Sequence, residues 1–170
     1  PFPLIVAGGL PPTQERFNHV TCDNEASGRL QARHLLEMGH REIVYVSHLV
    51  GMGSASPRTL GFRATLKEAG ITNLDERLFT NSFDSLQSPV VLDRILTRWP
   101  GVTAIGFDND PAAAHTIWML LSRGIRVPEE ISVIGMGPVH EGYDHPLRLT
   151  SIDGHPFEIG ERAADLMIDC

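Results

Sequence analysis

The chain alternates short apolar runs with helical patterns, and that alternation restricts it to a mainly parallel α/β sheet. Runs rich in β-branched residues read as strands, stretches with apolar residues three and four apart read as helices, and parallel strands need the crossovers that those helices supply. Leu4 to Ala7 is the first run, closed by Gly8-Gly9 and Pro11-Pro12. His19 to Cys22 is a short extended link. Asp23-Asn24 caps a helix of about Glu25 to Met38, with Leu30, His34, Leu35 and Met38 near one face, and Gly39 ends it. The strand Ile43 to Ser47 leads through the Gly/Ser loop Gly51 to Pro57 into a helix of about Arg58 to Ala69, closed by Gly70. Leu78 to Thr80 is a weak strand. Ser88 as cap and Pro89 at the first helical position start a helix carrying Val91, Leu92, Ile95 and Leu96. Val102 to Phe107 is a strand, Asp110-Pro111 caps a helix running to Arg123, and Ile131 to Met136 is the next strand. After an irregular loop from Gly137 to Arg148, Leu149 to Ile152 is extended. Pro156 then opens a last helix with Phe157, Ile159, Ala163, Leu166 and Met167 as its apolar positions. Five helices between strands fix the class as α/β; the order of the strands is not readable from the pattern.

Composition narrows the function classes. The 170 residues have room for one domain or two small lobes, and 42% hydrophobic with 21% charged residues is the balance of a soluble globular protein. No apolar run approaches the roughly 20 residues that a membrane-spanning helix needs. A net charge of −7 repels phosphate backbones, so this stretch by itself is a poor binder of nucleic acid. Cys22 and Cys170 are too few for a disulfide scaffold or a four-cysteine zinc site, and fit a reducing cytoplasm. Pro1 stands where Met would initiate, and Cys170 falls inside a helical pattern. The chain is therefore expected to be a piece of a longer protein.

In an open parallel sheet, ligands bind beyond the carboxyl ends of the strands. Three loops lie there: Ser47 to Ser56, which reaches Arg58; Asp108-Asn109-Asp110; and Gly137 to His145. A guanidinium, an amide, carboxylates and imidazoles suit hydroxyl, carboxylate or phosphate groups of a small molecule. Arg58 opposes the dipole in the first turn of its helix, and so serves a ligand or a surface ion pair. Asp110 before Pro111 reads as a helix cap, which leaves Asn109 to face the crevice or to form the turn; Asp108 faces the same space or is a solvated loop carboxylate. Enzyme patterns fail. Gly51-x-Gly53-x-x-Ser56 lacks the third glycine of a dinucleotide fingerprint, and neither a phosphate-loop Gly-Lys-Ser/Thr nor a Gly-x-Ser-x-Gly elbow is present. His140-Glu141-Gly142-Tyr143-Asp144-His145 matches no zinc spacing, and Cys22 reads as an inert small residue. This is recognition equipment without a catalytic set, so no enzyme activity, cofactor or metal is expected.

Several segments together resemble the LacI/GalR family of bacterial transcriptional regulators. They are Asp23-Asn24-Glu25-Ala26-Ser27-Gly28-Arg29-Leu30, His34 to Ile43, Arg58-Thr59-Leu60-Gly61-Phe62, Asn109-Asp110, Gly124 to Gly135, Leu149 to Ile152 and Ile159 to Ala164. They fall in family order over nearly the whole chain. The resemblance implies two α/β parallel-sheet lobes of the periplasmic-binding-protein type I fold with an effector between them, the C-terminal lobe essentially complete and the N-terminal lobe partial. Residues 1–21 would belong to the N-terminal lobe, 22–149 would form the C-terminal lobe, and 150–170 would be the crossover and return helix. The family's effector arginine and asparagine map to Arg58 and Asn109; Asp108, Ser47, His48, Met136 and Gly137 complete the expected site.

Two positions depart from sugar-binding members. Gly135-Met136-Gly137-Pro138 stands where an aromatic residue and Asp are usual, and Gly8 where many members have Asp. Losing two acceptors for paired hydroxyls points away from a simple sugar: either Asp108 partly substitutes, or the ligand is anionic or less hydroxylated. The implied protein is a cytoplasmic, homodimeric repressor with no membrane segment. It senses a sugar, sugar derivative or organic acid and couples it to operator DNA through a helix-turn-helix headpiece outside this chain. The alternative is a periplasmic sugar-binding protein of an ABC transporter, from which the run Val127-Pro128-Glu129-Glu130-Ile131-Ser132 points away.

Overall fold

A computed structural model describes residues 4–8, 17–47, 56–80, 88–137 and 149–169. The elements in chain order are β1 (Ile5–Ala7), β2 (Asn18–Val20), α1 (Asn24–Glu37), β3 (Ile43–Ser47), α2 (Pro57–Glu68), a 3₁₀ turn (Leu74–Arg77), β4 (Leu78–Thr80), α3 (Ser88–Arg98), β5 (Ala104–Phe107), α4 (Asp110–Ser122), β6 (Ser132–Met136), β7 (Thr150–Ile152) and α5 (Pro156–Ile168). Each was legible to within a few residues except the 3₁₀ turn, which has no apolar period of its own. The link read at His19 to Cys22 is a strand, β2, parallel to β1.

Five strands form one parallel sheet in the order β4-β3-β5-β6-β7. From β3 the chain steps outward to β4, then returns past β3 to β5 and continues to β6 and β7. The winding therefore reverses between β3 and β5, and a crevice opens outside the carboxyl ends of strands at such a reversal. Strand β7 hydrogen-bonds to β6 through the Ile134–Thr150 register, so the sheet continues three residues past the point where the sequence reading ends the C-terminal lobe.

Side chains alternate across β3. Val44 and Val46 join the core formed with α3 and α4, while Ile43 and Tyr45 join the core formed with α1 and α2. Both faces of the central strands are covered, which is why they read as unbroken apolar runs. The two helices of the second core cross almost backbone to backbone: a methyl at Gly28 would overlap the Arg58 carbonyl, and one at Gly61 would overlap the Glu25 carbonyl. This crossing corrects the predicted face of α1. Gly28, Gln31, Ala32 and Leu35 are buried, whereas Leu30 is 50% and Met38 63% exposed.

The small β1–β2 sheet packs on α5. No residue of α5 is buried; Phe157 is 85% exposed, and Leu166 and Met167 are also exposed. Of the apolar stripe read from Phe157 to Met167, Ile159 and Ala163 are half-buried, while Phe157, Leu166 and Met167 stay exposed among the described residues. No helix among them is long and apolar enough to cross a membrane.

Candidate functional site

Two helix starts and two strand ends meet at the reversal point. Helix α1 begins because Asp23 caps it, accepting from the Ala26 N–H at 2.8 Å; α2 begins because Ser56 accepts from Thr59 N–H at 3.2 Å and Pro57 fits the first turn. The close α1–α2 crossing then sets Asn24, first residue of α1, beside Arg58, second residue of α2. Arg58 Nε donates to Asn24 Oδ1 at 2.7 Å, and Nη1 donates to the Asp108 carbonyl at 2.6 Å. This ties both helices to the end of β5 and leaves Nη2 without a hydrogen bond among the described residues. The arginine is thus held by an amide and a carbonyl, rather than by the surface ion pair that the sequence left open.

Asp108 follows β5 directly and is 1% exposed. Ser47 Oγ, at the end of β3, donates to its Oδ2 at 3.0 Å, and Asn109 Nδ2 donates to its Oδ1 at 2.9 Å. The carboxylate is an internal brace between two strand ends, not the solvated loop group that was the other reading. Asn109, not Asp110, is the cap of α4: its Oδ1 accepts from Ala112 N–H at 2.9 Å. That is a correction, because the amide expected to be left over for the crevice is also the one that starts the helix.

Asp110 sits inside the first turn of α4, is buried, and accepts from Ser151 Oγ at 2.7 Å; the same hydroxyl reaches the Gly137 carbonyl at 3.0 Å. A side chain at Gly135 would overlap the Asp110 carboxylate, so the glycine there makes room for it. Gly137 lies at φ +136°, a conformation that L side chains rarely adopt, and its N–H donates to the Ile152 carbonyl at 3.0 Å. The acidic residue usual in sugar-binding members would therefore be strained here. Met136 is 4% exposed and sits in the sheet as the register partner of Ile152. The structure thus brings Arg58, Asp108, Asn109 and Ser47 together in one hydrogen-bonded set, with Gly137 linked to β7 and Asp110. His48 and the His140 to His145 cluster lie outside the described residues.

Sequence reasoning missed two residues. Asn24 orients Arg58, and its Nδ2 is itself held by Thr21 Oγ1 and the Cys22 carbonyl. Gln31 is 1% exposed, and its Nε2 donates to the carbonyls of Phe107 at 2.8 Å, Gly135 at 3.0 Å and Ile134 at 3.3 Å, pinning the ends of β5 and β6. A polar residue between Gly28 and Leu35 on a buried face was the available signal. Tyr45, beneath the set, packs on Phe62 at 4.4 Å between ring centroids, and burial followed by the Asp108 carboxylate pushes its phenol far above the ordinary range. Cys22 is a free thiol whose Sγ reaches Asn24 Oδ1 at 3.6 Å.

The model of the periplasmic binding protein-like domain family matches residues 32–170. The HTH-type transcriptional repressor PurR of Mannheimia succiniciproducens is 33% identical over 142 residues, which cover 84% of this chain and 42% of the repressor. A LacI-family regulator of Sanguibacter keddieii superposes with a TM-score of 0.83 at 26% identity, over 98% of this chain and 62% of its own. A complex of the transcriptional regulator CelR with cellobiose gives 0.82 at 26% identity, over 95% and 50%. The chain spans about half the length of the curated relatives that it matches. By this match it belongs to the periplasmic binding protein-like domain family and is of the LacI/GalR effector-binding type.

Proposed function

We propose that this chain is the effector-binding portion of a cytoplasmic LacI/GalR-type transcriptional repressor, which senses a small metabolite without transforming it. The carrying observation is Arg58, whose guanidinium is fixed by Asn24 and the Asp108 carbonyl at the reversal between β3 and β5. A guanidinium already oriented by two acceptors loses little freedom on binding a carboxylate or hydroxyl. In this reading residues 1–21 and the helix of 150–170 belong to one lobe, 22–149 to the other, and the effector closes the cleft between them. Closure shifts the population of lobe arrangements and, in a dimer, the spacing of two DNA-binding headpieces over operator half-sites. Effector and operator then alter each other's affinity reciprocally, with a coupling of about 1–3 kcal/mol. That the relatives are transcriptional repressors favours this over a transport protein.

The site supports an acceptor-rich effector. Arg58 supplies N–H donors beside Asn109, while the Asp108 carboxylate is engaged by Ser47 and Asn109 and buried away from solvent. Of the two alternatives for the missing acidic positions, an anionic or less hydroxylated ligand is the one we adopt. Calorimetric titration of the full-length protein with monosaccharides, sugar phosphates and organic acids tests it. The acids should bind, and Arg58→Ala should weaken them at least tenfold with the circular dichroism unchanged. Undiminished binding in the variant, or loss of its folding, would reject the assignment.

A further inference from the structure

Between α2 and the edge strand β4 lies a cavity of about 370 Å³, lined among others by Tyr45, Ser47, Thr59, Thr80, Leu78 and Asp75. Tyr45 is 1% exposed, and its hydroxyl is buried with no hydrogen-bond partner among the described residues. A buried hydroxyl without a partner is uncommon, because its desolvation is not offset. Replacing it by hydrogen would give a phenylalanine that packs equally well on Phe62. The cavity adjoins the proposed effector cleft through Ser47, which lines it and whose hydroxyl donates to Asp108.

We propose that this cavity is a subsite for a neutral hydrogen-bond-accepting group, a hydroxyl or carbonyl, to which the Tyr45 phenol donates. The placement rests on reading Ser47 and Asp108 as part of the effector cleft. Charge decides the class of group. Burial first and the Asp108 carboxylate second hold the phenol neutral against the smaller opposing effect of Arg58, and so it acts as a donor. Asp75 at the cavity wall is already paired with Arg63 at 2.8 Å. An anion there would meet the Asp75 carboxylate and no cation among the lining residues, whereas a hydroxyl meets the Tyr45 phenol. Combined with Arg58, the subsite describes a hydroxy acid, with its carboxylate toward Arg58 and a hydroxyl toward Tyr45.

The test uses the full-length protein labelled with 3-fluorotyrosine, the Tyr45 fluorine signal being identified by its loss in Tyr45→Phe. Xylitol and gluconate are each expected to move that signal saturably, and inorganic phosphate to leave it in place. If neither hydroxylated probe moves it, or phosphate alone does, the subsite is rejected. Arg58→Ala should weaken gluconate at least tenfold and spare xylitol; if it spares both, the cleft reading fails while the subsite stands. Tyr45→Phe without ligand should unfold at the same temperature or higher. A clear fall would show that the hydroxyl is satisfied in the free protein, and would overturn the proposal.

Discussion

Gln31 places two donors of one amide beneath three strand-end carbonyls and so bridges β5 and β6. Gln31→Leu keeps the bulk and removes the donors, leaving buried carbonyls without that partner, so we expect a loss of about 1–3 kcal/mol in urea denaturation. Asn109 carries two duties, capping α4 and bracing Asp108. Asn109→Ala should therefore cost about 1 kcal/mol of stability in addition to any loss of effector, which makes Arg58 the cleaner probe of binding. His40 shows how little charge is needed to give a pH dependence. Burial, followed by the charge of His34, lowers its pKa below the ordinary 6.5, while its Nδ1 meets Thr103 Oγ1 at 3.0 Å. A depressed folded-state pKa means that the neutral ring belongs to the fold. That contribution is present above about pH 6.5 and is lost as pH falls toward the lower folded value. Thermal unfolding followed from pH 7.5 to 5 should show this loss in the parent, and His40→Asn should flatten it.

Among the elements, the α1–α2 crossing matters most to the site, because it sets Asn24 against Arg58. Neither Gly28 nor Gly61 tolerates a methyl without backbone movement. Gly61→Ala is therefore expected to lose about 1–3 kcal/mol or more, and to weaken the effector in parallel as Arg58 shifts. Denaturation and titration of the same variant would separate this from a pure packing defect, in which binding is retained. The crossing also marks where legibility in the sequence stopped. Strands β3, β5 and β6 and the helix start at Asp23 depend on neighbours within a turn or two, and those were readable. Which face of α1 is buried depends on a helix more than twenty residues away, and Leu30 and Met38 were misplaced for that reason. The Asn109/Asp110 exchange had a local cause: both residues can cap. The choice fell to Asn109 because the Asp110 carboxylate fits the space left by Gly135 and meets Ser151 from β7. Long-range contacts also hid Gln31, whose carbonyl partners lie 76 to 104 residues away.

At the scale of the whole molecule, a repressor that reads two half-sites needs two copies held in register. Helices α3 and α4 pack together, joined by the Asp93–Arg123 ion pair at 2.7 Å, and carry outward-facing apolar side chains. Trp118 is 60% exposed, Leu121 37% and Val90 57%. Trp118 and Leu121 are three apart on α4, so they share one face, and large apolar groups concentrated on a surface mark a contact more often than chance scatter. His115 lies beside the Trp118 ring, at 6.1 Å between centroids, and gives the patch a polar margin. If this face joins two protomers, Trp118→Arg in the full-length protein buries a charge from each protomer in the contact. We expect sedimentation to show a shift from dimer to monomer, and the affinity for a two-half-site operator to fall at least tenfold. Effector binding to each isolated cleft should persist, since Arg58 and Asn109 lie at the starts of α2 and α4 within one protomer. A Trp118→Arg protein that remains dimeric and binds operator normally would leave α5, with Phe157 85% exposed, as the face to test next.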